Sequence, residues 1–317
     1  MSRINILCST DDKYVPWCGI MLTSLFESNP GDHFIVFLLS SGLNEQNTKD
    51  ILRLAERYHA DIQFISIDGK LMEGLSIRQG DTVSLATYFR LLAPDFLPQE
   101  VDKVIYLDCD IVVDGPIRPL WETDIHEYAL GAVIDESFYK DELYERLQYS
   151  KEYSYVNAGV ELFNIKYWRE HQCVERCFDC VRKNQEILTL YDQDAINMVL
   201  HKEIKHLDPT WNFQHGFLLS WQYGYYKGEL KEQLDRCTYN PVIIHFDGRS
   251  KPWYKDSQHP YTPYFFYYKE KSLWKDTPLV GNFPLSERLK WFRHYLAGWL
   301  GIRPVVFRIK KQHKNDS

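Results

Sequence analysis

Short apolar runs alternate with amphipathic stretches along the first third of the chain. Ile4 to Ser9 is an apolar run of strand length, Gly19 to Glu27 has helical character, and Phe34 to Leu39 is again strand-like. From Asn44 to His59 the apolar residues Ile51, Leu54, Ala55 and Tyr58 recur at helical spacing, and Asp61 to Ile67 alternates as a half-buried strand does. Leu85 to Leu92 reads as helix and Lys103 to Leu107 as a buried strand. This order of elements predicts βαβ units, and hence an α/β fold with a Rossmann-like, mostly parallel central sheet flanked by helices. Further on, Ala129 to Ile134, Ala158 to Asn164 and Val242 to Phe246 are expected as strands, with Tyr167 to Lys183 and Gln193 to His201 as helices. No segment between Ala60 and Phe283 has the composition of a linker. Residues 1–280 therefore read as one domain and residues 281–317 as a helical tail.

The tail is patterned differently. Leu285, Leu289, Phe292, Leu296 and Trp299 form one apolar stripe, interrupted by Arg288, Lys290, Arg293 and His294. Ser286 is the expected N-cap, and Gly301 with Pro304 the expected stop. Such a helix can pack on the domain or lie in a membrane interface. Charge favours the second: residues 284–317 hold eight Lys/Arg (Arg303, Arg308, Lys310, Lys311 and Lys314 among them) against Glu287 and Asp316. The formal charge of −7 therefore divides into −13 on the body and +6 on the tail. An acidic body argues against nucleic-acid binding, and a basic tail with aromatics argues for an anionic membrane surface.

With 317 residues, 44% hydrophobic and 26% charged, the chain can bury a core unaided. No apolar run reaches the roughly 18 residues of a spanning helix, and Met-Ser-Arg-Ile-Asn-Ile-Leu reads as a strand rather than a secretory signal. Seven scattered cysteines suit a reducing compartment. The expected location is the cytoplasm, at the inner face of the cell membrane. Cys173, Cys177 and Cys180 share one helix face, which favours burial as small hydrophobes over a metal site.

Ligands of open α/β sheets sit beyond the carboxyl ends of the strands. The first strand runs into Ser9-Thr10-Asp11-Asp12-Lys13 without a GxGxxG turn, and no GxxxxGK[ST] occurs, which disfavours a dinucleotide dehydrogenase and a P-loop NTPase. More informative is Tyr106-Leu107-Asp108-Cys109-Asp110, where two carboxylates one residue apart close a strongly apolar strand. They can share a divalent cation of the Mg²⁺ or Mn²⁺ type, with substrate phosphates filling the open positions. A turn with two solvated aspartates is the bland reading of that motif. His245-Phe246-Asp247-Gly248-Arg249-Ser250-Lys251-Pro252-Trp253 follows another core strand and offers an imidazole, a permissive glycine and a phosphate-neutralising lysine. Asp192-Gln193-Asp194 opens a helix, where one aspartate is explained by capping and the cluster is not.

Taken with Asp11-Asp12, Thr87-Tyr88-Phe89-Arg90 and Val156-Asn157-Ala158-Gly159-Val160, these motifs resemble glycosyltransferase family 8, in collinear order over roughly residues 3–255. The resemblance is greatest to the bacterial lipopolysaccharide galactosyl- and glucosyltransferases. It implies a GT-A fold and a retaining, metal-dependent transfer of galactose or glucose from a UDP-sugar to a saccharide or lipid-linked saccharide acceptor. It also implies residue roles. Asp108, Asp110 and His245 would bind Mn²⁺ or Mg²⁺; Gly248 and Lys251 would contact the diphosphate. Asp11 would hold the uridine, and Arg90, Asp108 and Asp192 would surround the donor sugar. Asn157 and Gln193 would line the reacting face, with Asp135 on the acceptor side. Lys13 departs from the asparagine expected in the uridine contact. The basic, aromatic tail matches tails thought to hold such enzymes at the inner membrane.

Two other classes stay open on the sequence: a metal-dependent nucleotide-sugar hydrolase or nucleotidyltransferase, and a catalytically silent sugar-nucleotide or glycan-binding protein. The aromatic stretches Trp221 to Tyr226 and Trp253 to Tyr268 suit sugar stacking or core packing. Phe138 to Tyr155 is the segment expected to cover the acceptor.

Overall fold

The computed structural model describes residues 3–78, 84–222, 226–248, 251–301, 309 and 311. Strands β1 (Ile4–Ser9), β2 (Phe34–Ser40) and β3 (Asp61–Ser66) alternate with helices α1 (Val15–Ser28) and α2 (Glu45–Tyr58). A 3₁₀ turn, Leu85–Tyr88, leads into α3 (Phe89–Phe96), β4 (Lys103–Leu107), β5 (Ile111–Val113), α4 (Arg118–Trp121) and β6 (Leu130–Ile134). There follow α5 (Asp141–Leu147), β7 (Val156–Asn164), α6 (Ile165–Glu170), α7 (Cys173–Asn184), α8 (Tyr191–Leu200) and β8 (Ile204–His206). The chain continues through β9 (Phe213–Gln214), α9 (His215–Gln222), α10 (Gly228–Cys237), β10 (Ile243–His245), α11 (Thr262–Lys271) and α12 (Leu285–Trp299).

Seven strands form the main sheet in the order β3-β2-β1-β4-β7-β6-β8. Only β7 runs against the rest, paired antiparallel to both β4 and β6. The expected α/β fold with a mostly parallel sheet is therefore observed. Its central strands are apolar on both faces, as a sheet covered on both sides requires. A second sheet, β5-β10-β9, stands at the carboxyl end of β4. Between β4 and β5 the chain leaves one sheet and enters the other, so Asp108-Cys109-Asp110 hangs at the junction. Two backbone bonds pin it there: Asp108 N–H donates to Gly159 on β7 (2.9 Å), and Phe246 N–H after β10 donates to the Asp110 carbonyl (2.9 Å).

Three local expectations are corrected. Tyr167 to Lys183 is two helices, because Gln172 takes a left-handed φ of 53° and turns the chain between α6 and α7. The stretch Leu85 to Leu92 begins as 3₁₀ and becomes α-helical only at Phe89. In the tail, α12 begins at Leu285, and the Pro284 carbonyl accepts the first turn's bond from Arg288, so Ser286 lies inside the helix.

Cys173 and Cys177 are completely buried in the core between α7 and the sheet. Trp253, Tyr261, Tyr264, Phe265 and Tyr268 are core residues too, so these members of that aromatic stretch serve packing, while Phe266 is 37% exposed. Of Trp221 to Tyr226, Tyr226 is buried, while residues 223–225 lie outside the described residues.

α12 both packs and protrudes. Trp291 stacks on His215 (5.5 Å, 12°) and Arg288 pairs with Asp256 (3.2 Å). The stripe of Leu285, Leu289, Phe292, Leu296 and Trp299 faces outward, with Trp299 80% exposed. Among the expected tail cations, Lys311 pairs with Asp114 and lies 4.5 Å from the ring centre of Tyr267. Arg303, Arg308, Lys310 and Lys314 lie outside the described residues.

Candidate active site

Asp108, Asp110 and His245 converge from β4, the following turn and β10, with one ligand atom of each within 4.8 Å of the others. Lys251 donates to Asp110 Oδ2 and to the Phe246 carbonyl (2.9 Å). Asp110 Oδ1 lies 3.3 Å from His245 Nε2 yet is buried without a hydrogen bond, an acceptor oxygen whose lone pairs have no partner among the described residues. Burial by itself would raise the Asp110 carboxyl, but Lys251 and His245 hold it well below the usual carboxylate range. Burial would lower the His245 imidazole, and Asp110 raises it instead. Two carboxylates and an imidazole form a hard-to-borderline donor set, which fits Mg²⁺ or Mn²⁺.

His245 is aimed by its surroundings. A Cβ on Gly159 would sit 2.1 Å from His245 Cε1, so only glycine lets the ring lie against β7. Asn212 Nδ2 donates to Asn157 Oδ1 (2.8 Å), which leaves Asn212 Oδ1 to face His245 Nδ1 at 3.0 Å. That bond places a proton on Nδ1 and turns Nε2 toward Asp110. Asn157 in turn donates to Asp135 Oδ2 (3.0 Å). The Asp135-Asn157-Asn212-His245 chain thus joins the expected acceptor side to the metal triad.

Gln193, on the first turn of α8, is fixed at both ends of its amide. Oε1 accepts from Ala158 N–H (3.0 Å), while Nε2 donates to Asp135 Oδ2 (3.1 Å) and reaches the Tyr155 hydroxyl (3.1 Å). Asp194 anchors that helix start. It accepts from the Thr189 and Leu190 N–H groups and the Tyr155 hydroxyl, and pairs with Arg146 at 2.7 Å. Neither aspartate of the cluster is an N-cap: the cap position is Leu190, and Asp194 reaches back from inside the helix to the N–H groups ahead of the first turn.

Asp192 points the other way, into a buried charge cluster around Arg90. The guanidinium pairs with Asp108 (2.8 Å) and Asp192 (2.8 Å), donates to the Ala158 carbonyl, and lies over the Tyr106 ring at 4.0 Å. Thr87 Oγ1 donates to the second oxygen of Asp192. Burial raises the Asp192 carboxyl against the pull of Arg90.

On the expected nucleotide side, Asp11 Oδ1 accepts from the Lys13 (2.9 Å) and Tyr14 (3.0 Å) N–H groups, an Asx turn that starts α1. Lys13 is exposed. Asp12 is structural, holding Asn44 and Asn47 at the head of α2. Trp253 stacks on Trp17 of α1 (4.7 Å, 5°), which ties the Lys251 loop to the same helix. Gly248 is exposed with φ 63°, a left-handed turn that glycine adopts without strain; Arg249 and Ser250 lie outside the described residues.

The structure therefore gathers Asp108, Asp110, His245, Lys251, Arg90, Asp192, Gln193, Asn157 and Asp135 into one cleft at the carboxyl ends of β1, β4 and β10. Sequence reading missed Asn212, Tyr155 and Glu161. Asn212 and Tyr155 carry no periodic signal. Glu161 does carry one, since it is the only charged residue in the apolar run from Val156 to Phe163.

Comparison with known proteins agrees with this geometry. The family model for glycosyl transferase family 8 matches residues 5–257, and the chain belongs to that family. It is 27% identical over 288 residues to general stress protein A of Bacillus subtilis, covering 88% of this chain and 96% of that protein. Against lipopolysaccharide 1,3-galactosyltransferase of Salmonella typhimurium it is 25% identical over 311 residues, 93% of this chain and 88% of the relative. The crystal structure of galactosyltransferase LgtC in complex with donor and acceptor sugar analogues superimposes with a TM-score of 0.78 at 23% identity, covering 85% of this chain and 96% of that one. The protein is a glycosyltransferase of GT-A fold, and GT-A glycosyltransferases use a nucleotide sugar and a metal.

Proposed function

We propose that this enzyme transfers galactose or glucose, with retention and Mn²⁺ dependence, from a UDP-sugar to a lipid-linked saccharide at the inner membrane face, in lipopolysaccharide or another surface glycan. The observation that carries the reading is the Asp108, Asp110 and His245 triad with Lys251 beside it. The Salmonella relative, a lipopolysaccharide 1,3-galactosyltransferase, supports a galactosyl donor.

Asp108, Asp110 and His245 would hold the cation, which when bound would supply a Lewis acid for the donor diphosphate. Lys251 adds positive charge where the leaving oxygen becomes an anion, the place where electrostatic stabilisation counts most. Arg90 and Asp192 orient the sugar. Gln193 is a poor nucleophile: its amide oxygen is weakly basic and already accepts from Ala158. Both oxygens of Asp192 are engaged, by Thr87 and Arg90. Same-face attack follows from these assignments. The acceptor hydroxyl oxygen bonds to the anomeric carbon as the bond to the phosphate oxygen breaks, and the hydroxyl proton passes to that departing oxygen. The carbon carries oxocarbenium character in between, which the Gln193 carbonyl dipole stabilises. Asp135 orients the acceptor side by holding Gln193 and Asn157.

In this reading residues 1–280 are the catalytic domain and residues 281–317 the membrane-associating tail. No described helix is long and apolar enough to cross a membrane, whereas the outward stripe of α12 matches an interfacial helix.

Titration of UDP with and without Mn²⁺, on wild type and Asp110→Asn, tests the donor site. Metal-dependent binding that the substitution removes supports it and justifies assaying UDP-galactose and UDP-glucose. Binding indifferent to metal would make Asp108 and Asp110 a structural turn and favour a glycan-binding protein.

A further inference from the structure

Glu161 sits in the middle of β7, flanked across the sheet by Tyr106 of β4 and Ala132 of β6. Both neighbours belong to the core between the sheet and α3, α7 and α8, so the carboxyl points into that layer and not into the cleft. It is 0% exposed, and neither oxygen has a hydrogen-bond partner among the described residues. A carboxyl left in such a place costs several kcal/mol unless charge compensates it. One cation is at hand. Arg90 Nη1 lies 3.8 Å from Glu161 Oε2, while the other edges of the same guanidinium reach Asp108 and Asp192 at 2.8 Å each.

Arg90 thus faces three carboxyls, of which two border the cleft and one does not. The two at the cleft are the groups that a donor and its cation would engage. Glu161 is out of reach of either, so its contact with the guanidinium does not depend on what fills the site, although burial pushes the Glu161 carboxyl well up against the pull of Arg90. The Tyr106 ring lies against the guanidinium, and Glu161 stands beside the same Nη1 that donates to the Ala158 carbonyl, so both bear on its orientation from outside the cleft.

We infer that Glu161 is a positioning residue: it holds Arg90 at the angle from which the guanidinium serves Asp108, Asp192 and the donor sugar. This rests on the donor-site reading above. Arg90 reaches the metal triad through Asp108 (2.8 Å), whereas Asp110, His245 and Lys251 lie at the other end, so Glu161 is expected to weigh more on recognition of the hexose than on that of the nucleotide diphosphate.

The test uses full-length protein with Glu161→Met, of similar length and uncharged, and Glu161→Gln, which keeps an oxygen for Arg90. UDP and UDP-galactose are titrated in the presence of Mn²⁺, and the Arg90 Nε–H resonance, assigned with Arg90→Lys, is followed in ¹⁵N spectra. Glu161→Met is expected to bind UDP within about threefold of wild type, to weaken UDP-galactose about tenfold, and to shift the Arg90 resonance; Glu161→Gln restores both most of the way. Wild-type affinities and an unmoved resonance in Glu161→Met overturn the inference. So does an equal loss for UDP and UDP-galactose, the mark of a general core defect. UDP-glucose replaces UDP-galactose where wild type prefers it; should wild type distinguish neither UDP-sugar from UDP, the donor-site reading fails instead, and the Arg90 resonance alone decides the role of Glu161. If Glu161→Met does not fold, Glu161→Asp, one methylene shorter, takes its place with the same readouts.

Discussion

The cleft and the C-terminal helix depart from the usual division of residues in opposite directions. At the cleft and in the core layer behind it, Arg90, Asp192 and Glu161 are almost wholly buried, although charged groups belong in water. On α12, Leu285, Phe292 and Trp299 are 68%, 63% and 80% exposed, although apolar groups belong inside. Neither arrangement serves the stability of the free chain. The first is held by the geometry of the carboxyls around Arg90; the second leaves an apolar face exposed. A buried charge cluster costs desolvation that only a function explains, and an exposed apolar stripe of this length marks an interaction face. The two regions meet where Trp291 of α12 stacks on His215, whose N–H donates to Asp247 (3.1 Å) beside the triad.

If the cleft is the catalytic region and α12 only an anchor, substitutions in one should leave the other's property untouched. The largest effect is expected for Asp110→Asn, which should lower kcat/KM for sugar transfer about 1000-fold, or about 4 kcal/mol, while vesicle binding stays at the wild-type level. Initial-rate assays and co-sedimentation with anionic vesicles measure the two.

Asp194→Asn tests whether buried pairing in this region is structural as well. Removing one partner of the Arg146 pair should destabilise the fold by about 3 kcal/mol at pH 7 in urea denaturation. The pH dependence has a definite sign. Burial would raise the Asp194 carboxyl, but Arg146, the Leu190 N–H and the Tyr155 hydroxyl hold it below its ordinary value. Its contribution is therefore present above the unfolded value of about 3.9 and is lost as pH falls through the lower folded value. The gap between wild type and variant should be full at pH 6 and narrow below about pH 4.

Asn212→Ala removes the group that sets the His245 tautomer, and Mn²⁺ affinity measured calorimetrically should drop roughly 10- to 100-fold with the fold intact. An unchanged affinity would detach Asn212 from the site. The smallest effect is expected in the tail. Phe292→Ser with Trp299→Ser should reduce partitioning onto vesicles containing anionic lipid by about tenfold and leave transfer to a soluble acceptor unchanged. Equal partitioning would mean that the exposed stripe meets a protein instead, and reduced transfer would mean that α12 acts on the cleft through His215.

How much was legible in the sequence differs between these regions. β1 (Ile4–Ser9) and β4 (Lys103–Leu107) coincide with the expected bounds because an uninterrupted apolar run between polar residues has one way to be buried in a two-faced sheet. The Asp108-Cys109-Asp110 motif was legible because two carboxylates at the end of such a run repel unless they share a cation. β5, β8 and β9 were not, since strands of two or three residues carry no period. Nor was the break at Gln172, whose left-handed backbone is imposed by α6 and α7 packing on the same core.

What the sequence determined by itself is whatever is written in neighbouring residues: the βαβ order, the position of Asp108 and Asp110, the helical opening at Asp192-Gln193-Asp194, and the apolar stripe of α12. Only the tertiary structure decided which distant groups share a charge. It set Lys251 on Asp110, 141 positions away, and Asn212 behind His245, 33 away. It also laid Glu161 beside Arg90. The physical reason is that periodicity reports which face of an element leaves water, while partner choice depends on how the sheet that holds β7 and the sheet that holds β10 are placed against each other.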